Sequence, residues 1–344
     1  MKIEDNGYIG VTDPTPLAAL VANLRKRHLR TRLTIRREDS GNPTITGASH
    51  MAALGARKPQ EDNLTFDIEE SLRISGAKLR ALTQKLAYTG IRARKMTTYQ
   101  KRPRTTDNVI KVIDHMEVHY GQTLTEGNLW KSIRHKDIRR EVRYFLWMTM
   151  HDAYMVGTNW LRDTYSDELQ ARHECATCGM VESMEHILTQ CEAPGQSEVW
   201  SLTEELWGKK NRTWIPPSIG GILSCASVTF TDGADKKLPG HARLFRILMT
   251  ESAHLIWKLR NERVIDNPTH RVATPDEIRA KWLRAINDRL KIDCKMTNVA
   301  RYGAKALKAK LVQSTWAGVL DNEKNLTPDW VLGKIEVLVG IKPP

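Results

Sequence analysis

The sequence predicts a mainly α chain carrying one compact metal knuckle. Three observations point there. Apolar residues recur at three- and four-residue spacing through most of the 344 residues, which is the helical period. Strand-like alternation is confined to a short N-terminal stretch, residues 31–35, so only that part reads as mixed α and β. The segment from Cys175 to Cys191 has the spacing Cys-x2-Cys-x7-His-x4-Cys.

Taken in order, residues 16–28 are expected to be helical, with Leu17, Leu20, Val21 and Leu24 at helical spacing after a Thr15-Pro16 start. The strand at 31–35 and a loop at Gly41, Asn42 and Pro43 follow, then a helix at 48–56 and a polar linker at 57–63. Residues 68–88 read as a helix with an internal Gly76. In residues 106–118, Thr105 or Thr106 would cap a helix with Val109, Ile110, Ile113 and Met116 on one face. A long apolar helix is expected at 138–156, where Val142, Phe145, Leu146, Thr149 and Ala153 would form the wall on which the knuckle rests. Residues 198–207 are amphipathic. Trp214, Pro216, Pro217, Gly220 and Gly221 read as a loop before a short apolar stretch at 222–230. The longest helix is expected at 241–264, with Leu244, Leu248, Leu255 and Leu259 on one stripe; Pro275 opens 276–292, and 296–320 follows. These breaks divide the chain into 1–60, 61–125, 126–215 and 216–344.

Cys175, Cys178, His186 and Cys191 are the soft and borderline donors that close a tetrahedral zinc site, leaving no position for substrate or water. The expectation is therefore structural Zn2+. The Cys-x2-Cys pair sits on a tight turn ending in Gly179, and His186 and Cys191 are expected to point inward from one short helix. Two other readings use the same residues: a disulfide framework, for which only three cysteines fall here while Cys225 and Cys294 lie far along the chain, and a decayed knuckle that no longer holds metal. His173, before the first cysteine, reads as a surface residue.

With 40% apolar residues and ten tryptophans, the chain can build real cores and is not disordered. Its apolar runs fall short of the roughly 20 residues needed to span a bilayer, and MKIEDNGYIG lacks a signal-peptide core. The expected setting is soluble and intracellular, nuclear or cytoplasmic, without membrane contact. A net charge of +13 favours polyanionic partners, RNA or DNA above all. Residues 71–106 hold no Asp or Glu. There Arg92, Arg94, Lys95, Lys101, Arg102 and Arg104, with Tyr88 and Tyr99 interleaved, are candidate nucleic-acid contacts; a solvated helix face followed by a linker would need the same residues. A second cluster contributes Arg139 and Arg140 beside Lys131, Arg134, Lys136 and Arg143, and a third lies at Lys295, Arg301, Lys305, Lys308 and Lys310.

Other constellations carry little chemistry. Glu251 and His254 form an i, i+3 pair of the kind found in carboxylate-bridged metal bundles, but no second such pair joins it, which favours a hydrogen-bonded histidine. His115 and His119 read as exposed polar residues. His151 and Asp152 fall on different helix faces, and neither a Gly-x-Ser-x-Gly nucleophile turn nor a phosphate-cradling glycine loop is present.

The run LWKSIRHKDIRREVRYFLWMTMHDAYMVGTNW, then CATCGMVESMEHILTQC and Trp200, resembles the zinc-binding region found downstream of reverse transcriptase in non-LTR retrotransposon polyproteins. Phe145, Trp147, Glu182, Ser183, His186, Ile187 and Cys191 stand at that family's motif positions, and the resemblance carries over the four ligands unchanged. The first sixty residues resemble the tail of a ribonuclease H domain, implying a small α/β remnant at the N-terminus. Ser49 stands where that family has Asp in its final helix, and Glu38-Asp39 replace its Gly-His. Two-metal hydrolysis needs a full set of carboxylates, the others of which would precede Met1, so the resemblance implies no catalysis. The expectation is a retroelement-derived zinc and nucleic-acid binder. The alternatives are a co-opted helical interaction module and a residual RNA–DNA hybrid nuclease.

Overall fold

The computed structural model of the chain describes residues 2–27, 43–60, 65–74, 76–100, 102–265, 271–333 and 337–341. The expected strand at 31–35, Gly41 and Asn42 of the loop, Glu38-Asp39, part of the 57–63 linker and Lys101 lie outside the described residues. The chain divides into two compact units, Met1–Gln100 and Lys101–Pro344.

The first unit contains α1 (Lys2–Asp5), α2 (Pro14–Arg25), α3 (Pro43–Ala56) and α4 (Gln84–Thr98). Its described residues contain no strand, so the α/β arrangement expected of residues 1–60 is not seen there. The helix expected at 68–88 is also different. Residues 65–74 and 76–83 run irregularly through two 3-10 turns, Glu70–Leu72 and Leu79–Ala81, and α4 starts only after Thr83, whose hydroxyl accepts from Leu86 N–H (3.1 Å). Contacts with the chain's beginning override the helical pattern. Lys78 N–H donates to the Asp5 carbonyl (2.8 Å) and its ammonium pairs with the Asp5 carboxylate (2.6 Å). Gly7 (φ +62°) lies so close that a Cβ there would sit 2.4 Å from the backbone of Gly76 and Ala77.

The second unit holds α5 (Pro103–Tyr120), α6 (Glu126–Ile133), α7 (Arg140–Met150), α8 (Asp167–Gln170), one π turn (His186–Gln190), α9 (Gln196–Gly208), α10 (Ile219–Ser224), α11 (Pro239–Val264), α12 (Pro275–Lys295), α13 (Val299–Tyr302) and α14 (Ala309–Trp316). Helix α11 is the spine, and α7, α9, α12, α14 and the π turn pack around it. Trp207, Trp282 and Trp316 are fully buried in this core. The Trp282 indole donates to Ser252 (2.9 Å) and Thr203 (3.2 Å), that of Trp316 to Asp293 (2.9 Å) and that of Trp207 to the Thr213 carbonyl (3.4 Å), so each of these three buried N–H groups has an acceptor. Helix α12 starts as its sequence indicates: Pro275 follows Thr274, which accepts from Glu277 N–H (3.3 Å), while the Glu277 carboxylate accepts from Thr274 N–H (3.0 Å).

Several details depart from expectation. One core runs from Val109 to Ile341, across the boundaries expected at 125 and 215. The glycine pair explains this. Gly220 and Gly221 lie inside α10 rather than in a loop, and a Cβ on Gly220 would come within 2.4 Å of the Lys111 carbonyl on α5. Only glycine lets α10 and α5 approach this closely. His115, expected on the surface, is buried at that contact, hydrogen-bonded to Ser218 (3.1 Å); burial and then His119 lower its pKa to about 4. Helix α7 stops at Met150 because Asp152 (φ +45°) and Gly157 (φ +55°) turn the chain left-handed. The region at 296–320 is two helices separated by Gly303 (φ +51°). Helix α6 was not foreseen, although Thr125 before Glu126 is an N-cap signature. Among the described residues, no helix is long and apolar enough to cross a membrane.

Candidate metal centre

The knuckle begins with a short antiparallel turn. Glu174 pairs with Val181, Cys175 N–H donates to the Met180 carbonyl (2.8 Å), and Gly179, at φ +65°, donates to the Cys175 carbonyl (2.8 Å). This folds Cys175 and Cys178 toward one point. The second half of the site is the π turn. On an α-helix, at about 100° per residue, positions five apart face about 140° away from each other. The π turn closes instead across five residues, with Cys191 N–H bonded to the His186 carbonyl (2.8 Å), and this brings His186 and Cys191 to the same side.

The four ligand atoms of Cys175, Cys178, His186 and Cys191 lie within 4.8 Å of one another. The Cys191 sulfur is 3.8 Å from that of Cys175 and 4.0 Å from that of Cys178. A tetrahedral site with metal–sulfur bonds of about 2.3 Å places its sulfurs about 3.8 Å apart. The cysteines are free thiols, not disulfides. Both ring nitrogens of His186 are buried without a hydrogen-bond partner, an arrangement that is costly unless something else meets them. A metal ion would. The group fits one: it offers three sulfurs and one imidazole nitrogen, three of its four residues are buried, and Glu192 N–H donates to the Cys178 sulfur (3.3 Å).

The thiols are electrostatically unequal. Burial raises the Cys175 thiol, but the adjoining His186, the backbone N–H groups of Cys178 and Thr177, and Cys191 outweigh it and hold the pKa at about 7. Burial pushes Cys191 up to about 12, with the neighbouring cysteines adding to it. Cys175 is thus the more easily ionised of the two, and a cation would draw all three thiols into the thiolate form. Cys225 and Cys294 stand apart from the cluster, and burial raises their thiols to about 12 and about 11. They are inert by comparison.

Two contacts fasten the knuckle to the helical core, and a third braces it from within. Glu182 forms a buried two-pronged ion pair with Arg260 of α11, Nε donating to Oε1 (3.2 Å) and the terminal nitrogen to Oε2. Ser183 caps the turn that carries the histidine, its hydroxyl accepting from His186 N–H (2.9 Å). Trp200 of α9 donates its indole N–H to the Leu188 carbonyl (2.7 Å), filling an acceptor within the π turn. Gly157 passes so near that a Cβ there would sit 1.9 Å from the Glu182 carbonyl oxygen. The sequence named Glu182, Ser183 and Trp200 without assigning them these contacts. Arg260 was the missing partner, and nothing in the local sequence marks a residue 78 positions away.

The candidate nucleic-acid residues fall in different settings. Arg92, Arg94 and Lys95 are exposed on α4, where the Arg92 guanidinium lies 6.0 Å from the Tyr88 ring. Arg102 is exposed at the start of α5. Arg104 donates to Asn159 (2.9 Å) and Asp152 (3.2 Å). Arg140 is exposed at the start of α7, but its neighbour Arg139 turns inward and grips Glu251 of α11 with two nitrogens. Arg139 belongs to a network in which Arg243 and Arg246 meet Asp137, Arg243 meets Asp293, and Arg289 approaches Glu251. Glu251 is thus committed to arginines, and His254 beside it packs 5.3 Å from Phe145, where burial lowers its pKa to about 4.

No family model, curated protein or solved structure matches the chain.

Proposed function

We propose that this chain is a zinc-stapled, nucleic-acid-binding protein of retroelement descent that acts as a scaffold. The observation that carries the reading is the buried Cys3His group, whose ligand atoms lie within 4.8 Å of one another around an imidazole with no hydrogen-bond partner. Three thiolates and one imidazole in a closed tetrahedron suit zinc better than harder cations, and a closed shell leaves no site for attacking water. The contacts made by Glu182, Ser183 and Trp200 support the descent, since these three residues of the resemblance each have a part in holding the knuckle. In this reading residues 1–60 descend from a ribonuclease H tail with Ser49 in place of its Asp, and the chain does not hydrolyse RNA–DNA hybrids.

RNA or DNA would be held through exposed Lys and Arg side chains, supported by the +13 charge and the carboxylate-free stretch at 71–106. The test is fluorescence anisotropy of a labelled oligonucleotide at rising salt. Log affinity should fall linearly with log salt at about 0.7–0.9 per phosphate neutralised. No binding, or binding indifferent to salt, contradicts the reading.

A further inference from the structure

Helix α7 has two faces. Val142, Phe145, Leu146, Thr149 and Met150 are buried in the core. The other stripe, Arg140, Tyr144, Trp147 and His151, recurs at four, three and four residues and so stands in one row. Tyr144 is 61% and Trp147 44% exposed, a large aromatic area left in water that the core does not use.

The rings form a continuous series. Tyr144 and Trp147 have centroids 6.5 Å apart with planes 21° from parallel, Trp147 meets His151 edge-on at 4.5 Å, and His151 lies flat on Trp130 of α6 at 5.1 Å and 20°. The row is held in place from below. Thr105 is hydrogen-bonded to His151 Nδ1 (3.0 Å), and the Trp130 indole donates to Glu126 (3.3 Å). Burial and then Arg102 lower the pKa of His151. Basic side chains flank the series. Arg140 precedes Tyr144 by one turn, and Arg102, Arg104 and His151 line a cleft of about 360 Å³ in which Asp152 is neutralised by Arg104.

We propose that Tyr144, Trp147, His151 and Trp130 form a stacking platform for the unpaired bases of a single-stranded nucleic acid, with Arg102 and Arg140 meeting its phosphates. The proposal rests on the nucleic-acid reading above and narrows it. An aromatic face can stack only on a base whose own faces are open, which a duplex does not offer, and positive charge beside such rings suits the strand's backbone. The structural alternative, that the rings merely brace α6 against α7, accounts for Trp130 and His151 but not for the exposure of Tyr144 and Trp147.

The test uses the full chain with a fluorescein-labelled oligothymidylate and a duplex of equal length. Wild type should prefer the single strand. Tyr144→Ala and Trp147→Ala should each lower single-strand affinity by roughly five- to a hundredfold, leaving duplex affinity and the salt slope unchanged. Trp147→Phe, which keeps a ring, should recover most of the loss, and Tyr144, 61% exposed, should be truncated without moving thermal melting by circular dichroism. If both alanine variants bind the single strand as wild type does while Arg92→Glu, Arg94→Glu, Lys95→Glu weakens binding, the platform is overturned and the nucleic-acid reading stands. Equal losses for single strand and duplex also overturn the platform. If wild type binds neither probe, both fall.

Discussion

The knuckle at residues 173–195 and the basic helix α4 are the two stretches richest in chemistry, and they are held in opposite ways. In the knuckle Cys175, Glu182, His186 and Cys191 are buried, Glu182 in an ion pair with Arg260 and the other three with their ligand atoms within 4.8 Å of one another. On α4, Arg92, Arg94, Lys95, Tyr88 and Met96 all face water. A metal site requires four side chains to converge on one point, so its surroundings are over-determined. A polyanion surface requires only that charge be present and solvated, so the backbone beneath can vary with little cost. Mutations should accordingly be severe in the first region and nearly silent for stability in the second.

Stripping the proposed metal should have the largest effect. Structural zinc contributes on the order of 10 kcal/mol in zinc-finger peptides, so a strong chelator should abolish amide hydrogen-exchange protection across the knuckle. Protection that survives the chelator would mean that packing alone holds the segment. Glu182→Ala comes next, because it leaves the Arg260 guanidinium buried without its anion and should cost about 3–5 kcal/mol in urea unfolding. Replacing both partners by methionine should restore most of that loss; if it does not, Glu182 has a role beyond the ion pair. Trp200→Phe keeps the ring but leaves the Leu188 carbonyl only the longer bond from the Gln196 amide (3.4 Å), for about 1 kcal/mol.

The pH dependence sharpens the same contrast. His115 and His254 titrate near 4 in the folded chain against about 6.5 unfolded, so the unfolded state binds more protons between those values. Their contribution to stability is complete above about pH 6.5 and is lost as pH falls toward 4, and His254→Phe should flatten part of that decline. At the small end, Arg92→Glu, Arg94→Glu, Lys95→Glu should change stability by no more than about 0.5 kcal/mol. The same variant should lower the salt slope of nucleic-acid binding by about 2–3. A large loss of stability there would place α4 among the structural elements and end the comparison.

How much of this was legible in the sequence follows from what each feature depends on. The ligands Cys175, Cys178, His186 and Cys191 could be named because their spacing and chemistry are local, and α9, α11 and α12 because their apolar periods, with Pro275 at the start of α12, are local too. The π turn was less accessible: the spacing of His186 and Cys191 suggested a helix, and only backbone geometry shows that a five-residue turn is needed to align them. Gly220 and Gly221 were read as loop formers because a glycine pair usually is one, whereas their part is to admit α5. Arg139 looked like its neighbour Arg140, and what separates them is Glu251, more than a hundred residues on. The start of α4 was misplaced for the same reason, since Asp5 and Gly7 dictate the backbone near Gly76.

The most direct test of the proposed zinc centre is metal content by mass spectrometry on protein purified without added metal, compared with a Cys178→Ser, His186→Ala variant. The account predicts one zinc per chain in the wild type and none in the variant. A wild-type protein without zinc, or a variant that keeps it, would contradict the central claim.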